Sequence, residues 1–201
     1  MTGNKGHIIV GITGGIGSGK TTISKCFKEY GIPVYHADEE AKALMNRSKV
    51  IRRKLIALFG EKAYSQEVLN RDYLRQKIFQ DKTLLSKMNA IVHPKVGTHF
   101  KRWLKKQDAP YILKEVAIIF ENHLQNQYDY IITVVADEEQ RIERVIQRDN
   151  TSPESVKSIM ANQLSDADKI SQSDFVIHNN NLEEAKQQAA SIHNLLLSAL
   201  K

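Results

Sequence analysis

The sequence predicts an α/β fold with a five-stranded parallel sheet, an inserted helical subdomain and a short helical lid. Three observations carry that prediction. Short apolar runs of strand length alternate with segments of helical period, the pattern of a parallel sheet covered by helices on both faces. The first of these runs opens into a loop with five glycines in nine residues. Residues 38–106 show almost no strand signal and exceed a single crossover helix, so they read as a unit inserted between strands.

Taken in order, residues 7–13 (HIIVGIT) read as a buried strand, and residues 20–30 as a helix with Ile23, Phe27 and Tyr30 on one side. Gly31 ends that helix, and "IPVYHA" at 32–37 gives a second strand. Through 38–106, Leu44, Ile51, Leu55, Leu58, Leu74, Ile78, Leu84, Leu85, Met88, Ile91 and Val92 recur at helical spacing, with breaks expected at Gly60 and Pro94. "PYILKEVAII" at 110–119 and "DYIITVVA" at 129–136 are strong strand candidates. Residues 137–149 read as helix and 152–171 as polar and helix-prone. "DFVIH" at 174–178 makes a fifth strand, and 182–200 a closing helix. The expected division is a nucleotide-binding core at 1–37, 107–147 and 173–201, a helical substrate subdomain at 38–106, and a lid at 148–172.

Composition narrows the class. At 201 residues the chain fits one core with an insertion, and 41% hydrophobic residues suffice for a sizeable interior. No apolar run approaches the roughly 20 residues needed to cross a bilayer, and the first apolar stretch is too short for a signal peptide. One cysteine, Cys26, allows no intramolecular disulfide. A cytoplasmic protein without a membrane partner is expected. The 29 lysines and arginines against 23 aspartates and glutamates leave a charge of +6, which suits nucleic acid, small polyanions or an ordinary surface. No basic block with interleaved aromatics stands out, so nucleic acid is not expected as a partner. Nothing in the chain bears on oligomeric state.

Gly14, Gly19, Lys20 and Thr21 satisfy G-x-x-x-x-G-K-[ST]. Glycines let backbone N–H groups turn inward as a nest for anions, and the helix that follows adds its unpaired N–H groups and dipole. Lys20 would reach the β- and γ-phosphates, and the Thr21 hydroxyl would hold Mg²⁺. A nucleoside triphosphate site follows. A switch GTPase would need a base-specific motif such as N-K-x-D, which is absent. A helical insertion and a polar, arginine-bearing segment after the fourth strand suit a kinase that closes over its acceptor. Another small-molecule kinase of this loop class, acting on nucleosides or nucleotides, and an ATPase without an acceptor are the rival readings.

Asp38 sits at the carboxyl end of the second strand, the edge where open α/β sheets bind ligands. It reads either as the base that accepts the acceptor's proton or as the N-cap of the next helix. Arg141, Arg144 and Arg148, at i, i+3 and i+7, share a helix face. They would neutralise a transferring phosphoryl group or form a solvated basic stripe paired with Glu138 and Glu139. Arg148, beside the polar segment, is the one expected to reach ATP. His93-Pro94 reads first as a helix break and second as a substrate contact. Cys26 and Trp103 read as packing residues.

Together these motifs resemble the dephospho-coenzyme A kinase family over about Ile8 to Asn180. "GITGGIGSGKTT" is similar to the family's opening loop, and "YHADEEAK" to its V-x-x-A-D segment, whose aspartate serves as catalytic base. "LNRDYLRQKIF" resembles the N-R-x-x-L-x-x-x-[IV]-F stretch, "AIVHPKV" the H-P element, and "RIERVIQRD" the lid arginines. "NQLSDADKISQSDFVIHNN" is similar to the closing Q-x(6)-K-x(3)-A-D-x-[VI]-I-x-N pattern. Four positions depart: Ala117 replaces a usual proline, Glu115 a common aspartate, Arg141 a frequent glutamine and Asn181 a glycine.

The resemblance implies a P-loop NTPase-like three-layer fold. It also implies ATP-dependent phosphorylation of the ribose 3′-hydroxyl of dephospho-CoA, the last step of coenzyme A synthesis. Gly15, Gly17, Ser18, Gly19, Lys20, Thr21 and Thr22 would then cradle the triphosphate, with Thr21 on Mg²⁺. Asp38 would orient or deprotonate the hydroxyl, Lys20 and Arg144 would act at the transferring phosphate, and Arg148 and Asn179 would contact ATP. Arg71, His93 and Glu121 would join Asp38 in holding dephospho-CoA.

Overall fold

The computed structural model describes residues 7–200. Among them, no helix is long and apolar enough to cross a membrane. They divide into two compact units: residues 7–36 with 107–200, and residues 37–106.

The first unit is built on β1 (Ile8–Thr13), α1 (Lys20–Glu29) and β2 (Val34–His36). It resumes beyond the second unit with five strands in all. In the second unit lie α2 (Ala37–Arg47), α3 (Lys49–Phe59), the hairpin β3 (Tyr64–Ser65) and β4 (Val68–Leu69), α4 (Arg71–Gln80) and α5 (Thr83–Leu104). The chain then returns as β5 (Tyr111–Glu115), β6 (Tyr130–Val135), α6 (Glu138–Asp149), α7 (Pro153–Met160), α8 (Asp166–Ile170), β7 (Phe175–His178) and α9 (Leu182–Ala199).

The large sheet runs β2-β5-β1-β6-β7, and every neighbouring pair is parallel. The expected five-stranded parallel sheet is therefore present. Alternate residues of each strand reach one face. Val10, Ile12, Tyr111, Leu113, Ile132, Val134 and Ile177 all lie at 0% exposure there, against Ile23 and Phe27 of α1 and Ala185, Ala189 and Ile192 of α9. Small alanines on α9 let that helix sit close to the strands. With β1 flanked by β5 and β6, the chain reverses direction of travel across the sheet at β1. The carboxyl end of β1 is thus the switch point where such sheets bind ligands.

Two expected elements of this unit come out shorter. β5 stops at Glu115, not 119. Val116 N–H still bonds Ile12 O at 3.0 Å, but Ile119 and Phe120 are buried after the chain leaves the sheet. Their apolar character reflects burial of a loop rather than strand pairing. β2 begins at Val34, since Pro33 has no N–H for a ladder and offers only its carbonyl, to Leu113 N–H at 2.9 Å.

The second unit has its own core, formed by Ile51, Leu55, Phe59, Ala63, Tyr64, Leu69, Leu74 and Val92. Ser48 caps α3 by accepting Ile51 N–H, and Gly60, at φ 87°, ends it. The expected break at Pro94 does not occur: α5 runs for 22 residues through it. Packing holds the helix across the missing N–H, because Val92 and Phe100 on either side are buried. Leu85, expected inside, is 44% exposed. The β3–β4 hairpin turns through Gln66 and Glu67, both at positive φ, a primed turn built without the usual Asn-Gly signal.

Candidate active site

The loop between β1 and α1 closes the carboxyl edge of the first unit. Its glycines have two physical reasons. One is the positive φ of 78° at Gly17 and 91° at Gly19. The other is that the protein itself lies against the places where side chains would begin. A Cβ on Gly15 would collide with the Arg141 guanidinium, one on Gly17 with the Arg141 carbonyl, and one on Gly19 with the Asn179 amide. Lys20 Nζ donates to Gly14 O at 2.8 Å and Gly15 O at 3.1 Å, so the ammonium lies folded over the loop. Ser18 is fully buried, and its hydroxyl has no hydrogen-bond partner among the described residues.

The three arginines of α6 serve three different ends. Arg141 is buried: its Nε donates to Ile16 O at 2.9 Å, and its guanidinium pairs with Asp166 of α8 at 2.9 Å. It is a strut from the loop's apex to α8, which corrects the expectation of a shared arginine stripe. Helical spacing aligns Cα positions, but burial decides which side chain meets water. Arg144 donates to Asn179 O at 2.8 Å and Gln140 Oε1 at 2.9 Å, while its second terminal nitrogen is buried without a partner among the described residues. That nitrogen lies 4.0 Å from the Cβ position at Gly19, beside the loop. Arg148 is exposed and grips Asp149 through two bonds of 2.7 Å, which raise its pKa further.

Asn179 follows β7 and is buried. Its side-chain amide donates to Ser18 O at 2.7 Å, and its own N–H bonds Val135 O at 2.8 Å, so the end of β7 is tied to the phosphate loop. Glu121 accepts from Lys169 Nζ at 3.0 Å and from Leu164 N–H at 3.1 Å. Lys169 is fully buried and also donates to Leu164 O at 2.9 Å. Glu121 Oε2 is buried without a partner among the described residues.

One cluster was not expected from the sequence. Thr21 Oγ1 donates to Glu115 Oε1 at 2.8 Å, and Ser24 Oγ donates to Glu115 Oε2 at 3.2 Å. His36 Nδ1 lies 2.6 Å from the same Oε2. Glu115 and His36 end neighbouring strands and are paired in register. A carboxylate or imidazole at the carboxyl end of a parallel strand, one strand from the loop, is the signal that could have found them. Among the described residues no group of three or more His, Cys, Asp or Glu forms a metal cluster. The oxygens of Thr21, Ser24 and Glu115 are nevertheless the hard donors that suit Mg²⁺.

In the second unit, Asp38 lies in the first turn of α2, which starts at Ala37, and it is exposed. The N-cap alternative is thereby corrected: the carboxylate is inside the helix rather than ahead of it, where it still favours the dipole. Arg71 is exposed as the first residue of α4, whose cap is Asn70 accepting Tyr73 N–H at 3.2 Å. A cation at a helix N-terminus opposes the dipole. His93 is exposed on α5.

Comparison with known proteins gives a consistent result. A family model described as dephospho-CoA kinase matches residues 8–184. The dephospho-CoA kinase of Bacteroides fragilis is 39% identical over 173 residues, covering 86% of this chain and 84% of that protein. A solved Thermus thermophilus protein superposes with a TM-score of 0.88 at 29% identity, covering 98% of this chain and all of that one. The solved dephospho-CoA kinase of Campylobacter jejuni shares the fold, with a TM-score of 0.67 at 22% identity over 92% and 95% of the two chains.

Proposed function

The chain belongs to the dephospho-CoA kinase family, and from that premise we infer that it transfers the γ-phosphoryl group of ATP to the ribose 3′-hydroxyl of dephospho-CoA. The products are CoA and ADP, and the reaction is the final step of CoA synthesis. The observation that carries this reading is the match over residues 8–184. The loop geometry supports it, with Lys20 and Thr21 opening α1 at the switch point of a parallel sheet.

In this reading Gly15, Gly17, Ser18, Gly19, Lys20, Thr21 and Thr22 hold the triphosphate through backbone N–H groups and the start of α1. Lys20 exchanges the Gly14 and Gly15 carbonyls for phosphate oxygens. Thr21 would hold Mg²⁺, which when bound neutralises charge on the β- and γ-phosphates. Arg144 offers its unpartnered nitrogen to the transferring group, stabilising charge that develops only there. Arg148 exchanges Asp149 for ATP, and Asn179 fixes the loop that receives it.

Asp38 accepts the proton of the attacking hydroxyl, and its exposed first-turn position leaves the carboxylate accessible. Residues 38–106 form the acceptor subdomain, with Arg71, His93 and Glu121 as further contacts. Arg71 supports this by its locally unfavourable placement, which an anionic acceptor would relieve. Residues 148–172 act as the lid over the nucleotide-binding core at 1–37, 107–147 and 173–201. The enzyme would work in the cytoplasm on small molecules rather than nucleic acid.

A panel of acceptors incubated with γ-labelled ATP tests the reading. Label should pass to dephospho-CoA in preference to nucleosides, nucleotides and shikimate. Faster labelling of any of those, or ATP hydrolysis indifferent to acceptors and raised by DNA or RNA, would overturn it.

A further inference from the structure

Gln163 and Lys169 are polar residues that the mechanism above does not use, and both grip backbone near the phosphate loop. Ile16, at the loop's apex, has its N–H and its carbonyl taken by side chains from outside the loop. The N–H donates to Gln163 Oε1 at 2.9 Å, and the carbonyl accepts from Arg141 Nε at 2.9 Å. Gln163 is half-buried and lies between α7 and α8. The next residue, Leu164, is gripped in turn. Its N–H donates to Glu121 Oε1 at 3.1 Å, and its carbonyl accepts from Lys169 Nζ at 2.9 Å. Lys169 is fully buried and pairs with Glu121 at 3.0 Å, so the backbone that presents Gln163 is itself tied down.

Resting on the kinase reading, we propose that Gln163 is a positioning residue for the phosphate donor, which presets the shape of the loop through Ile16 N–H. Ser18 N–H bonds Gly15 O at 3.2 Å, so residues 15–18 form a turn. Gly17, at φ 78°, stands third in it, the place where a type II turn needs glycine. The bond that closes such a turn joins its first and fourth residues, and the two central peptide planes must be held from outside. A trans peptide is planar, with its C=O and N–H pointing opposite ways. Drawing Ile16 N–H toward Gln163 therefore turns Gly15 O to the other side, where Ser18 N–H and Lys20 Nζ reach it. Drawing Ile16 O toward Arg141 likewise turns Gly17 N–H away from that guanidinium. Gln163 thus does for the first plane what Arg141 does for the second. With both planes set beforehand, a triphosphate need not order the loop as it binds. Gln163 acts on the phosphates only through Ile16.

The test titrates a non-hydrolysable ATP analogue into the whole enzyme, by calorimetry at a temperature where every variant is folded. Gln163→Met keeps the length of the side chain and removes the oxygen. It should weaken the analogue about 3- to 10-fold, the worth of one neutral hydrogen bond. Gln163→Glu keeps an oxygen at the same reach and should bind within about 2-fold of wild type at about 300 mM salt, which screens its added charge. In steady-state kinetics Gln163→Met should raise KM for ATP in the same proportion and leave kcat and KM for dephospho-CoA near wild type. A merely structural hydrogen bond would instead lower the melting temperature of Gln163→Met and leave the folded enzyme's affinity at the wild-type value, and that result would overturn the proposal. So would Gln163→Glu binding no better than Gln163→Met. The titration needs no acceptor. A wild-type enzyme that fails to phosphorylate dephospho-CoA therefore refutes the functional reading, while the analogue series still decides the role of Gln163.

Discussion

The two units carry opposite net charge, and the proposed function gives each a different way of binding anions. Residues 37–106 contain seventeen lysines and arginines against seven aspartates and glutamates, a net charge of +10. The rest of the chain contains twelve against sixteen, a net charge of −4. The unit that carries the phosphate loop is therefore the acidic one. In the proposed function its affinity for a triphosphate would come from short-range groups: loop backbone N–H, the N-terminus of α1, Lys20 and one nitrogen of Arg144 without a partner among the described residues. The inserted unit instead spreads cations over its helices, and a diffuse field acts over a Debye length rather than a bond length. The overall charge of +6 conceals both facts. What the difference teaches is that donor binding should be sensitive to single atoms, and acceptor capture to ionic strength.

The sharpest way to break that contrast is Lys20→Ala. Loss of the cation at the transferring phosphate should lower kcat/KM by about 1,000-fold or more, with the melting temperature little changed, as initial rates and thermal melts would show. Next comes Arg141, which ties the loop to α8 through Asp166. Arg141→Ala breaks a largely buried pair and should destabilise the enzyme by about 3 kcal/mol, measured by urea unfolding; an unchanged midpoint would mean that the loop holds its shape unaided. Arg144→Ala should cost about 100-fold in kcat, the usual loss for one preorganised donor. Arg148, already occupied by Asp149, should be far less sensitive. The smallest effect tests the other unit. Raising salt from about 50 to 300 mM should lower kcat/KM for dephospho-CoA several-fold with little change in kcat, because screening weakens capture and not chemistry. Equal salt sensitivity of the ATP parameters would erase the distinction between the units.

The sheet unit was far more legible in the sequence than the details of its site. Ile8–Thr13 and Tyr130–Val135 announce themselves, since a strand buried on both faces must be apolar throughout. The glycine loop is legible for the same reason: few backbones accept its geometry. Glu115 and His36 were not, because each is a single polar residue at a strand end and only the register of β2 against β5 brings them together. Arg141 misled because periodicity reports which face a residue shares and not whether that face is covered. In the inserted unit, Pro94 misled in turn: local propensity favoured a break, and burial on either side outweighed it. The hairpin at 64–69 was invisible since two-residue strands carry no period.

The central claim is that one unit supplies the phosphoryl group while the inserted unit begins with the base, Asp38. Asp38→Asn tests it most directly when ATP affinity and turnover of dephospho-CoA are measured on the same preparation. The account predicts ATP affinity within about 3-fold of wild type and kcat lowered by about 100- to 10,000-fold, the contribution of a positioned base. Turnover near the wild-type rate would contradict it and leave Asp38 as no more than a first-turn carboxylate of α2.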